Sequence, residues 1–75
     1  MHADTLKDLI HAKSFQAFTL HLADGHTVDV PHPDFILLTR GGRTAIVSTG
    51  GEHIEILDVA LVTHVTGTKE DVAAD

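Results

Sequence analysis

The stretch Phe18–Val30, FTLHLADGHTVDV, alternates apolar and polar residues on both sides of Asp24-Gly25. Successive strand residues point to opposite faces, so Phe18, Leu20 and Leu22 share one face and Thr19 and His21 the other. A two-residue turn at Asp24-Gly25 would set Leu20 opposite Asp29 and mix charge into the apolar face. A three-residue loop, Ala23-Asp24-Gly25, sets Leu20 opposite Val28, Phe18 opposite Val30 and Thr19 opposite Asp29. Only the second register gathers the apolar residues, and Gly25 supplies the left-handed position that such a loop needs. The sequence therefore predicts an antiparallel hairpin with one core face.

The rest of the chain extends this pattern. Leu6, Leu9 and Ile10 recur at helical spacing and predict a short amphipathic helix over about residues 4–13. Asp4 or Thr5 is expected to cap it, with Lys13 favourable at its end. Phe15 is expected to anchor the connector to the core. Pro31-His32-Pro33 ends the second strand, because proline donates no ladder hydrogen bond and restricts the residue before it. Residues 34–40 and 43–49 read as a second hairpin around Gly41-Gly42, with Leu37 opposite Ile46 and Ile36 opposite Val47. Both of its faces are apolar, which a sheet packed on one side does not need. Either the helix covers one face or that face is an interface. Gly50-Gly51 breaks the chain, residues 53–56 read as a short strand, 57–60 as a tight helical turn and 61–66 as a last strand. The tail 67–75 is acidic and is expected to fray. All three phenylalanines, Phe15, Phe18 and Phe35, fall where core residues belong.

The predicted class is mainly β with one N-terminal helix: a small SH3-like or Sm-like barrel of five or six short antiparallel strands, in a single domain over residues 1–75 with the barrel at about 15–66. An open α+β sheet with the helix on one face is the alternative. A chain of 75 residues buries only about 60% of its unfolded surface and gains from disulfides, metals or association. It has no cysteine, which leaves self-association as the expected support and is compatible with the cytoplasm.

Net charge narrows the function classes. The formal charge is -6, with five Lys and Arg in all, so the counterion release that drives nucleic-acid binding has few cations behind it. No apolar run approaches the roughly 20 residues of a membrane span, and no leader is visible at the N-terminus. The chain reads as a cytoplasmic protein. It lacks a GxSxG elbow, and a domain this small has little room for a deep pocket, so it reads as a non-enzyme. Ser48-Thr49-Gly50-Gly51 has the glycines of a phosphate loop without its Lys or following helix.

Seven histidines stand out: His2, His11, His21, His26, His32, His53 and His64. They form no HxH and no helical i, i+4 pair, so neither a metal site nor another cofactor is expected from spacing within one chain. As a group they predict a pH effect: protonating all seven moves the formal charge from -6 to +1, and an oligomer would loosen between about pH 7 and 5.

The runs SFQAFTLHLADGHTVDVPHPDFILL, GRTAIV and IEILDVALVTHV resemble a group of short bacterial proteins of unknown function, with a helix, a LADG hairpin and a VPHPDF segment. The resemblance spans most of residues 9–65 and implies no activity. A looser similarity is to Sm-like proteins, through the helix, Asp24-Gly25 and Asp34. It implies the fold but not the RNA pocket. That pocket wants an Asn shortly after the Asp, where Ile36-Leu37-Leu38 stands here. It also wants an Arg-Gly pair before the last strand, whereas Arg40-Gly41 follows strand three.

The sequence thus predicts a self-associating, non-enzymatic interaction or scaffold module, a homo-oligomer open to other protein partners. Its expected interface is Ile36, Leu38, Val47, Ile54 and Ile56. The alternatives are an Sm-like nucleic-acid module using Arg40 and Arg43, and a ligand or metal site formed at an oligomer interface.

Overall fold

The computed structural model describes residues 1–67; the acidic tail expected to fray lies outside the described residues from 68 onward. The elements run α1 (Ala3–Ile10), β1 (Phe18–Leu22), β2 (Thr27–Val30), a 3-10 turn (Pro33–Phe35), β3 (Ile36–Leu38), β4 (Thr44–Gly50), β5 (His53–Asp58), a second 3-10 turn (Val59–Leu61) and β6 (Val62–Gly67). The chain is mainly β with one short N-terminal helix. Its six antiparallel strands lie in two three-stranded sheets, β2-β1-β6 and β3-β4-β5. Among the described residues no ladder joins the two sheets, so a continuous barrel is not closed by hydrogen bonds.

The first hairpin has the register its parity predicts: Phe18 pairs with Val30, Thr19 with Asp29 and Leu20 with Val28. Leu22 N–H bonds to the His26 carbonyl at 2.9 Å, which leaves Ala23-Asp24-Gly25 as the loop, and Gly25 sits at φ +92°. On its other side β1 pairs with β6, Leu20 opposite Val65 and Phe18 opposite Gly67. The last strand therefore starts and ends one residue later than predicted.

The second hairpin also keeps its register, with Ile36 opposite Val47 and Leu37 opposite Ile46. Its strands are shorter at the turn, because Gly42 N–H bonds to the Thr39 carbonyl at 2.8 Å and closes a turn over Thr39–Gly42. Asp34 and Phe35 leave the predicted strand for a 3-10 turn. Pro33 fits the first position of that turn, and His32 Nδ1 accepts from Asp34 N–H at 3.2 Å. The turn swings Phe35 out to 44% exposure, against the prediction that it joins the core. The predicted tight turn after β5 begins at Val59 rather than Leu57, because the Asp58 carboxylate accepts from Ala60 N–H at 3.0 Å and caps it there.

The core lies between the sheets. Phe18, Leu20, Val28 and Val30 face Ile36, Ala45, Val47 and Leu57, with Val59 and Val62 closing one end. Leu6 and Ile10 of α1 complete the core, and Leu9 and Phe15 pack at its margin. Phe15 rests on the Phe18 ring at 5.7 Å between centroids. The helix is shorter than predicted at its C-terminal end and has no side-chain cap: His2 occupies the N-cap, Asp4 and Thr5 lie inside the first turn, and Lys13 lies past the end. Its start is held instead by the Met1 ammonium, which donates to the Val62 carbonyl at 3.0 Å, and by the close approach of Ala3 to Gly42.

Candidate functional site

β5 carries the least expected feature of the fold. Leu57 is buried and Glu55 half-buried, while Ile54 and Ile56 are 52% and 65% exposed. Glu55 thus points inward beside Leu57, and the two isoleucines point outward. The register explains the company they keep. Leu37, Ile46 and Ile56 form one row across β3, β4 and β5, with Ile54 beside Ser48. Leu37 is 61% exposed. This row makes an apolar outer face on sheet β3-β4-β5.

The expected interface residues consequently fall on two sides. Ile36 and Val47 are core residues on the inner face, and Leu38, on the same parity, is half-buried. Ile54 and Ile56 are on the outer face, where their neighbours are Leu37 and Ile46. With both faces of the hairpin apolar, the sequence alone left open which one turned inward.

β5 is also an edge strand. Val59 N–H bonds to the Arg43 carbonyl at 2.8 Å, in line with the pairing of Thr44 with Asp58 and Ala45 with Leu57. Hydrogen-bonded and non-hydrogen-bonded pairs alternate in an antiparallel ladder. Leu57 and Glu55 therefore bond to β4, and the backbone groups of Ile54, Ile56 and Asp58 turn to the open edge. Such a row of free N–H and C=O groups is a template for another strand.

On the inner side of the same edge, Glu55 meets two histidines. His53 Nε2 lies 3.2 Å from Glu55 Oε2, and His26 Nε2 lies 3.8 Å from Glu55 Oε1. His26 comes from the end of the first hairpin loop, where its N–H is held by Asp24 Oδ1 at 2.9 Å. The trio therefore bridges the two sheets. It borders a cleft of about 670 Å³ that also touches Asp29, Phe35 and Ser48. No HxH marks this trio in the sequence; its signal there is His53-x-Glu55, which puts a base and a carboxylate on one face of a strand.

The remaining histidines are dispersed. His21 and His64 stack across β1 and β6, 4.1 Å between centroids and 10° between planes. His21 Nε2 meets Thr66 Oγ1 at 3.0 Å. His32 pairs with Asp34 at 3.6 Å, and His2 and His11 flank the helix. Arg40 and Arg43 are both exposed at the second hairpin loop but line separate hollows, Arg43 beside His2 and Asp58, Arg40 beside Lys7 and His11.

Among the described residues no helix is long and apolar enough to cross a membrane. Comparison with family models, curated proteins and solved structures finds no match to this chain.

Proposed function

We propose that this chain is a non-enzymatic interaction module of SH3-like or Sm-like architecture that self-associates through the open edge and outer face of β5. The architectural part is supported by the strand order, in which the last strand returns to pair with the first across a meander. The functional part is carried by one observation: an apolar row, Leu37–Ile46–Ile56, ends on an edge strand whose backbone groups face outward.

The occupant is a second copy of the chain. A two-fold axis through Ile56 sets Ile56 of one copy opposite Ile56 of the other and lets the outward-facing backbone groups exchange ladder hydrogen bonds. The competing register, centred on Glu55, opposes like charges and is disfavoured. Ile54 and Ile56, on the pairing strand, each retain more than half of their surface, worth up to roughly 1–2 kcal/mol apiece when covered. A stable pair needs roughly 800 Å² on each partner; Ile46 and Leu37, one and two strands in from the joined edge, extend the apolar face of the six-strand sheet.

Absolute mass by light scattering after size exclusion tests the reading. Wild type is expected at twice its 8.0 kDa. Ile56→Lys, on an exposed position, is expected at the monomer mass with an unchanged circular dichroism spectrum. A monomeric wild type at concentrations on the order of 100 μM, equivalent to a Kd weaker than the useful range, refutes it.

A further inference from the structure

The two sheets carry unlike outer faces. On β2-β1-β6 the outward residues include Thr19, His21, Asp29 and His64, all polar. On β3-β4-β5 they are Leu37, Ile46, Ile54 and Ile56, with Thr44 and Ser48 flanking Ile46 along β4. Among the described residues of these three strands Asp58 is the one charge on that face. It stands at a corner, opposite Thr44, and its carboxylate is turned to Ala60 N–H at 3.0 Å. The chain has five Lys and Arg and eleven Asp and Glu, so a sheet face this poor in charge is distinctive. Depletion of charge around exposed aliphatic side chains is the composition of a covered surface.

We propose that two β5-paired dimers stack on each other through this face, making an assembly of four chains; the inference rests on the edge pairing proposed above. The two-fold axis that relates antiparallel copies of one strand stands perpendicular to their sheet, so both apolar faces come out on the same side. They join into one row, Leu37–Ile46–Ile56 of one copy continuing as Ile56–Ile46–Leu37 of the other. Area decides what can cover it. With strands about 4.8 Å apart and about 3.3 Å per residue, a face three strands wide and about five residues deep has a footprint of roughly 230 Å², and the six-strand face roughly 460 Å². A specific interface buries at least roughly 1,000 Å² counted over both partners. Two single chains face to face reach about half of that, whereas two pairs come up to it once side-chain relief adds to the flat footprint. Pairing thus creates the surface that stacking needs.

Stacked sheets lie about 10 Å apart with their strands within about 30° of one another, and their side chains interdigitate. Branched aliphatic side chains set among small hydroxyls suit that packing. With both β5 edges paired and both apolar faces covered, the assembly closes at four chains with D2 symmetry. The polar outer face of β2-β1-β6 stays in water. Stacking adds no backbone hydrogen bonds and its area sits at the lower limit of a specific interface, so it is the weaker of the two steps.

Sedimentation velocity from about 10 μM to about 1 mM tests the stacking. Wild type is expected to move from twice to four times its 8.0 kDa across that range. Leu37→Lys, on a residue 61% exposed and two strands in from the seam, should keep the pair and lose the four-chain species. Leu37→Ser should do the same without adding charge. Thr27→Lys, on the other sheet's outer face, should still reach four chains, and Ile56→Lys should stay single. A wild type that stops at two chains at the top of the range, or a Leu37→Lys that reaches four, overturns the stacking and leaves the edge pairing standing. A wild type that stays single overturns both. Pairs kept in Ile56→Lys but lost in Leu37→Lys show faces meeting without the edge, and overturn the four-chain assembly along with the edge pairing.

Discussion

Replacing Gly42 by alanine strikes the joint between the helix and the second hairpin. Gly42 is buried at φ +74°, and a Cβ added there would lie 2.7 Å from the Cβ of Ala3. Two costs follow. An L-residue in the left-handed region loses about 1–2 kcal/mol. Carbon atoms prefer about 3.5–4.0 Å, so the helix start must retreat by about 1 Å from the turn. Its retreat is opposed by the Met1–Val62 hydrogen bond and by fully buried Leu6, and overpacking of this kind costs about 1–3 kcal/mol. The total is about 2–5 kcal/mol, which is a drop of at least about 10 °C in melting temperature for a domain this small. Urea denaturation followed by circular dichroism measures it. The double variant Ala3→Gly/Gly42→Ala separates the terms: it should recover the steric part and leave the backbone part. A Gly42→Ala protein within about 0.5 kcal/mol of wild type, or no coupling between the two positions, would show that the helix does not dock on this turn.

Two further substitutions probe the core and the second 3-10 turn. Leu20→Ala empties a fully buried position between Val28 and Val65 and should cost about 2–5 kcal/mol in urea denaturation, whereas Leu37→Ala on the exposed outer face should leave the monomer's stability within about 0.5 kcal/mol. Asp58→Ala removes the cap on Ala60 N–H and should cost about 1 kcal/mol, with the loss appearing as earlier thermal unfolding.

The two hairpins differ in how much of them could be read from sequence, and the difference is physical. In Phe18–Val30 only one face is apolar, so a single register satisfies it. In Ile36–Val47 the register was legible from the turn, but both parities carry aliphatic side chains and neither announces itself as the core. β5 is harder still. Its alternation sets Ile54 and Ile56 on the face opposite Glu55, and it is Leu57, on the parity of Glu55, that the core takes. The inward-facing Glu55 meets His26, which arrives from the loop of the other sheet's hairpin. No local pattern encodes that meeting. The helix start was misread for a similar reason: Asp4 and Thr5 have capping chemistry, yet a terminal ammonium and a distant glycine fix where the helix begins. Places where local preference and global fold disagree are where function is expected to lie, and β5 is the clearest of them here.

The pairing of β1 with β6 also sets the order in which the molecule can assemble. β3, β4 and β5 are neighbours in sequence and can form their meander as soon as they are made. The contact between His21 and Thr66 spans 45 residues, so the other sheet waits for the far end of the chain. Local contacts form quickly and distant ones slowly. During that interval only the local β1-β2 hairpin is there to cover the meander's inner face, and its aliphatic outer face and open edge stay bare. Until β6 closes the first sheet, the folding chain exposes more aliphatic surface than the finished one.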